Sequence, residues 1–349
     1  MGIRTVARIA NVSIATVSRV INRRDTVSPK VAERVRRIVT ELDYSPNVQA
    51  RSLRSGRSRI LGVIIPEITN PFFPELIQGF EEAALDYGYE IAVGSTYSDP
   101  NRISRCVRRI LELNVDGVAV MNFGMHELLL EHLAQRNIPL VFIDFGPDHT
   151  KLRPLNIDYH RGIRQAVQHL AVLGHRNIGF LTGPKCLHSA MSCAAAFSGS
   201  VRECGIRINS RWSLETDQTL EGGIAAMEAL LAGQDLPTAI ICSSDMIAIG
   251  VLHALNRAGL QVPDDFSVIG FDNIPLACTA IPPLTTIELP RLVLARASVA
   301  ALRAQIEGLE ITQQRRVYYI PTNLIVRNST GFPRGTMGQL HTSPITRHT

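Results

Sequence analysis

Apolar residues near the start of the chain recur at helical spacing. Val6, Ile9 and Ala10 stand at i, i+3 and i+4, one face of a short helix. Asn11-Val12-Ser13 breaks that pattern, and Ser13 is placed to cap a second helix with Val17, Val20 and Ile21 turned inward. Ser28-Pro29 is a cap followed by the favoured first-turn proline, so it opens a third helix. The inner face of that helix is Val31, Val35, Ile38, Val39 and Leu42. Helix, tight turn, helix and a supporting third helix make the helix-turn-helix plan.

From Ile60 the period changes. The apolar runs ILGVIIP, EIAVGST, VDGVAVM and PLVFID read as buried strands, and amphipathic stretches such as FFPELIQGFEEAALDYG separate them. A second series starts near residue 160 with the helix RGIRQAVQHLAVLG, and its strands include NIGFLTG, TAIICSS and FSVIGFD. Alternating strands and helices predict doubly wound parallel sheets, and two series predict two α/β lobes. A ligand then fits between them, at the carboxyl ends of the strands. The fold class expected is a small all-α head on a two-lobed α/β body.

Composition changes the picture at one point. The net charge of +5 is unevenly spread: residues 1–59 carry 13 Lys/Arg against 4 Asp/Glu, and the other 290 carry 23 against 27. A basic head on a mildly acidic body points to nucleic acid as the partner of the head, although a merely solubilising arm has the same charge. No apolar run approaches the roughly 18 residues of a membrane span, and the start MGIRTVARIA lacks the pattern of a secretion signal. Six scattered cysteines without a CxxC pair fit reduced thiols in a cytoplasmic chain.

The head offers a surface for reading DNA. In the helix-turn-helix plan the second helix enters the major groove with its N-terminal residues foremost. Ile14, Ala15 and Arg19 leave the buried stripe; Arg19 can hydrogen-bond guanine O6 and N7, and Ile14 and Ala15 suit thymine methyls. Ser13, Thr16, Ser18 and Asn22 suit phosphate or mixed contacts. The body offers no catalytic signature. GPKC at 183–186 is not a phosphate loop, no GxSxG or HExxH occurs, and His126 and His132 are poorly spaced for a metal. Asp144, Asp158, Asp245 and Asp272 fall at strand ends, where they can be acids, helix caps or acceptors for ligand hydroxyls. Neither catalysis, a metal nor a cofactor is expected.

The runs VARIANVSIATVSRVIN, VSPKVAERVRRIVTELDYSPNVQARSLRSGRSRILGVIIPEITNPFF, LGHRNIGFLTGP, PTAIICSSDMIAIG, LQVPDDFSVIGFDN and PPLTTIELP closely resemble the lactose-repressor (LacI/GalR) family of bacterial transcription regulators. The likeness covers roughly residues 3–332. One early departure is Thr5, where the family usually has Asp. The resemblance implies a periplasmic-binding-protein-like body with three crossovers between lobes, near 157, 287 and 316. The organisation expected is a DNA-binding head over 1–45, a hinge over 46–58, a body over 59–332 and a loose tail over 333–349. Lobe 1 then holds about 59–157 and 288–315, and lobe 2 about 158–287 and 316–332.

The resemblance also assigns roles. In the hinge, Asn47 caps a helix too short to be stable alone in water, which folds on the operator. There Leu53 wedges into the minor groove, Ala50 allows close approach, and Arg51 and Arg54 reach phosphates. In the cleft it implies effector contacts from Phe72, Phe73, Asp144, Phe145, Leu187, Ser189, Gln218, Asp245 and Asp272. Asp144 could serve an interface instead, and Asp245 could cap the next helix. Relatives carry an arginine where this chain has Cys193. A thiol cannot supply a forked cationic donor. Three outcomes stay open: a less polar effector, another group such as His188 in the role, or loss of effector response. The whole reads as a dimeric DNA-binding regulator, most simply a repressor, with a palindromic double-stranded operator and a small-molecule effector. An effector-blind regulator and a solute-binding protein are the alternatives.

Overall fold

The computed structural model describes residues 2–21, 26–44, 56–97, 99–121, 138–144, 155–309 and 318–334. Asn22, the hinge residues Asn47, Ala50, Arg51, Leu53 and Arg54, and Phe145 lie outside this set. The chain divides into two units, Met1–Arg59 and Ile60–Thr349.

Among the described residues, the first unit holds three helices, α1 (Ile3–Ile9), α2 (Ile14–Ile21) and α3 (Pro29–Glu41). Val6, Ala7, Ala10, Val17, Val20, Ala32, Val35 and Ile38 form its core. Ile9 was expected inside but is 50% exposed, and Ala7 takes its place. Ala7 and Ala10 lie about 100° and 40° ahead of Val6 around the helix, which centres the buried stripe away from Ile9. Ser13 caps α2: its Oγ accepts the Thr16 N–H at 3.0 Å.

The second unit contains two six-stranded sheets. In chain order its elements begin with β1 (Ile60–Ile65), α4 (Phe72–Leu85), β2 (Glu90–Ser95), α5 (Pro100–Glu112), β3 (Gly117–Met121), β4 (Leu140–Ile143) and β5 (Leu155–Asp158). The second series is α6 (Tyr159–Val172), β6 (Ile178–Thr182), α7 (His188–Glu203), β7 (Ser213–Glu215), α8 (Leu220–Leu231), β8 (Ala239–Cys242), α9 (Asp245–Arg257) and β9 (Ser267–Asp272). The chain then runs through α10 (Pro275–Thr279), β10 (Thr285–Glu288), α11 (Arg291–Ile306), β11 (Tyr318–Pro321) and β12 (Asn323–Ile325).

Strand order is β11-β5-β4-β3-β1-β2 in one sheet and β12-β10-β9-β8-β6-β7 in the other. The described pairings are parallel except for β12, which runs antiparallel to β10 at an edge. Each sheet therefore belongs to one lobe. The chain leaves lobe 1 after β5 and returns after β10. The final crossing, expected near 316, falls at Thr322, because β11 still pairs with β5. Thr322 is fully buried there; its hydroxyl donates to the Asp158 carbonyl at 2.6 Å and accepts the Gly162 N–H at 3.0 Å. Two of the three crossings are thus stitched to each other.

Packing explains several small residues. A Cβ on Gly223 of α8 would sit 2.3 Å from the Ile247 carbonyl oxygen, and one on Gly250 of α9 would sit 2.2 Å from that of Leu220. These two helices touch backbone to backbone, which only glycine permits. His175 is buried and ties the last segment down: its Nε2 faces Ser267 Oγ at 3.0 Å and the Gly331 carbonyl at 2.9 Å. Among the described residues, no helix is long and apolar enough to cross a membrane.

Candidate functional site

On the head, the side of α2 opposite Val17 and Val20 presents Ser13, Ile14, Ala15 and Arg19 as exposed residues, with Thr16 half-buried beside them. Ile14 is 42% exposed, so its side chain is available for contact. Ser18 does not join this face. It is buried next to Val17, because the inward stripe of α2 is wide enough to take it. Ser13 is partly committed to its cap, and its Oγ also lies 2.9 Å from Thr16 Oγ1.

On the body, the carboxyl ends of the strands enclose a cavity of about 490 Å³. Residues at or just after β1, β3, β6, β8 and β9 supply much of its wall: Glu67, Met121, Pro184, Ser243, Phe271 and Asp272. In both sheets the strand order reverses beside the first strand of the series, and a crevice opens at such a reversal. Of the residues assigned to effector binding, Phe72, Phe73, Leu187, Ser189, Cys193, Gln218 and Asp272 line this cavity. Phe72 and Phe73 start α4, where Asn70 Oδ1 accepts the Phe72 N–H at 3.0 Å, and their rings meet edge to face at 5.2 Å. Gln218 has φ +64 and lies over Gly183, where any Cβ would collide with its side chain.

Two assigned aspartates are elsewhere. Asp144 is buried behind the wall, and its Oδ2 accepts the Tyr159 hydroxyl at 2.6 Å. Burial lifts its carboxyl to about 6, against the opposing effects of that hydrogen bond and of His188. Asp245 is fully buried and holds the turn after β9: its Oδ2 accepts the Ile274 N–H at 2.8 Å and its Oδ1 accepts the Thr286 hydroxyl at 2.5 Å. Burial lifts this carboxyl to about 7. The cap of α9 is Ser244, whose Oγ accepts the Ile247 N–H. Asp245 therefore neither contacts the cavity nor caps the helix.

Asp272 is the acid that reaches the cavity. It has φ +107 and makes no side-chain hydrogen bond among the described residues. Burial and then Asp245 hold its carboxyl well above the usual carboxylate range, partly offset by Arg291. Cys193 is buried in the wall beside it, and its thiol is pushed up by burial and by Asp144 and Asp272. Tyr159 joins this group, and its ring lies 5.6 Å from that of Phe271.

Sequence reasoning missed Tyr159, Phe271 and Ser243, although each flanks a strand end where ligands are expected. It also missed Arg291, for which no local signal exists. Its Nε and Nη2 each lie 2.5 Å from Glu75 Oε2 on α4, while Nη1 donates to the Asp272 carbonyl and Nη2 to that of Asn273 at 2.9 Å. One guanidinium thus grips a lobe 1 helix and the lobe 2 turn that carries Asp272. Among the described residues, no group of three or more His, Cys, Asp or Glu is placed to hold a metal.

A helix-turn-helix head with an outward polar face and a two-lobed body with a cavity at its strand ends define a DNA-binding transcriptional regulator. Residues 2–47 match the bacterial regulatory proteins of the lacI family, and residues 167–330 match the periplasmic binding protein-like domain. The HTH-type transcriptional repressor PurR of Photobacterium profundum is 34% identical over 328 residues, covering 94% of this chain and 98% of that protein. The repressor CytR of Escherichia coli (strain K12) is 34% identical over 330 residues, covering 94% and 95%. The solved Lac repressor dimer bound to operator and the anti-inducer ONPF superposes with a TM-score of 0.83 at 28% identity, covering 93% and 98%. The transcriptional regulator CelR in complex with cellobiose gives 0.72 at 28% identity, covering 94% and 99%. The chain belongs to the lacI family of bacterial regulatory proteins.

Proposed function

We propose that the protein is a repressor that binds a palindromic operator as a dimer, with a small molecule in the body cavity setting its affinity for DNA. The observation that carries this is the exposed Ile14–Arg19 face of α2, on the only unit of the chain with a large basic excess. Two-fold symmetry of a dimer would set two such helices on two half-sites. The named relatives support the reading: two are repressors, and the Lac repressor and CelR structures hold small molecules. Such a protein works in the cytoplasm, where its DNA is. The effector acts only through unequal affinity for the DNA-competent and DNA-incompetent states.

Genome-wide mapping of bound sites tests this, and the mapped promoters name the regulated genes. On a mapped operator, Arg19→Ala should cost about 1–3 kcal/mol at one position of each half-site and relax base preference there. Equal loss on every sequence would reassign Arg19 to phosphate. The hinge assignments (Asn47, Ala50, Arg51, Leu53, Arg54) belong to the same proposal. Leu53→Ala should weaken operator binding and reduce bending while leaving the fold intact; unchanged bending would remove the wedge.

Cys193 favours one second reading, an effector-blind regulator. It sits in the cavity wall, buried, at the position where the family resemblance implies an arginine. A calorimetric screen with sugars, polyols, sugar acids and nucleosides, run against operator affinity, separates the two.

A further inference from the structure

The charge of the cavity wall is one-sided. Among the described residues its acids are Glu67, Asp217 and Asp272, and neither a lysine, an arginine nor a histidine lines it. Four described cations of the neighbouring segments are engaged elsewhere. Arg291 is held by Glu75 and two carbonyls, and Arg102 lies 4.7 Å over the Tyr97 ring and near Asp99. The Lys185 ammonium is 3.7 Å from Glu215, and His188 Nε2 is 3.2 Å from Ser192 Oγ. Two of the three acids are also engaged. Glu67 accepts the Thr69 hydroxyl, and Asp217 Oδ1 accepts both the N–H and the hydroxyl of Thr219. Asp272 has no such partner among the described residues. Directly behind the wall, the Oδ1 of buried Asp144 also lacks one among the described residues.

The rest of the wall suits a flat, partly apolar ring. Phe72, Phe73, Tyr97, Tyr159 and Phe271 contribute aromatic surface, which attracts cations as well as rings. Helix N-termini bring some positive potential, but those of α4 and α9 are already used by Asn70 and Ser244. The start of α7 at Leu187–Ala190 carries no side-chain cap and lies in the wall. The Leu187 N–H is taken by the Pro184 carbonyl, and the N–H groups of the first turn, which have no partner within the helix, suit uncharged oxygens of a ligand.

We propose that this cavity takes a hydroxylated ring bearing a protonated amine, with the ammonium on Asp272 beside the Cys193 thiol and hydroxyl oxygens at the start of α7. The proposal rests on the cavity being the effector site. An ammonium supplies the positive charge that the described wall lacks, whereas an anionic ligand would face the Asp272 carboxyl without a cation to balance it.

The test uses the full-length protein and two matched pyranose sets: glucosamine, glucose and glucuronate, then galactosamine, galactose and galacturonate. Binding of each sugar is measured by calorimetry. In at least one set the amine should bind about tenfold or more tighter than the neutral sugar, and the acid should not bind. Asp272→Asn should bring the amine down to the neutral sugar's affinity. Cys193→Arg, a second variant that leaves Asp272 in place, should abolish the amine preference. The fluorescence midpoint of Trp212 on denaturation checks that each variant folds. If a neutral sugar or an acid binds as tightly as its amine, or Asp272→Asn weakens all members equally, the proposal is overturned while the effector reading stands. If neither amine binds, the proposal is also overturned. A response of the operator complex to a small-molecule extract would then preserve the effector reading, and no response would remove both.

Discussion

Replacing Arg291 should weaken the joint between the lobes more than any exposed salt bridge in the molecule would. The Arg291 side chain is only 11% exposed, and its guanidinium serves the Glu75 carboxylate and two carbonyls. Glu75 is 37% exposed, so water can replace the arginine there, and that pair is worth about 1 kcal/mol or less. The Asp272 and Asn273 carbonyls are less well placed for replacement, and a hydrogen bond from a charged donor is worth about 1.5–3 kcal/mol. Arg291→Ala should therefore cost about 3–4 kcal/mol, and Arg291→Lys, which keeps the charge but not the fork, about half of that. Urea denaturation read through Trp212 measures this, because Trp212 is the only tryptophan and lies buried in lobe 2 with its indole N–H on the Asp235 carbonyl. A double-mutant cycle with Glu75→Gln should give a coupling of about 1 kcal/mol or less. A loss under about 0.5 kcal/mol for Arg291→Ala would refute the latch. A coupling as large as the whole loss would refute the division of energy just made.

Two further outcomes follow from single residues. Ser13→Ala removes the cap of α2 and should lower head stability by about 1 kcal/mol, read as a shift in its thermal midpoint; an unchanged midpoint would deny the cap any energetic role. Asp245 binds its proton more tightly in the folded state, at about 7, than in the unfolded chain at 3.8. Its contribution is therefore fully present below 3.8 and is lost as pH rises towards 7. The stability of wild type relative to Asp245→Asn should fall across that window and level off above it; a difference that does not vary with pH would place Asp245 at an ordinary carboxylate value.

Much of the fold is legible in local pattern. The stripe of Val17 and Val20 and the cap at Ser13 need only neighbours within one turn, and the strands ILGVII and SVIGFD are apolar runs bounded by breakers. The weaker strands were harder. LNID and TTIE carry polar residues that are buried in the body, Asn156, Thr285 and Thr286 among them, so hydropathy does not mark them. Misplacing the last crossing has the same origin: β11 is a four-residue strand whose membership depends on pairing with β5, more than 150 residues earlier.

The site divides along the same line. Asp245 and Asp272 both follow an apolar strand, and nothing within a few residues separates them. One is pinned beneath a turn by Ile274 and Thr286 and the other opens into the cavity, because their strands' neighbours differ in space. The sequence by itself determined the head, the alternation of strands and helices, the basic asymmetry and the thiol at position 193, since each is written in side-chain type or short-range spacing. The tertiary structure alone decided which acids face the ligand, where the last crossing falls and that Arg291 spans the lobes to Glu75, 216 residues away. Those depend on which distant segments are brought within hydrogen-bond reach, and short-range periodicity carries no information about that.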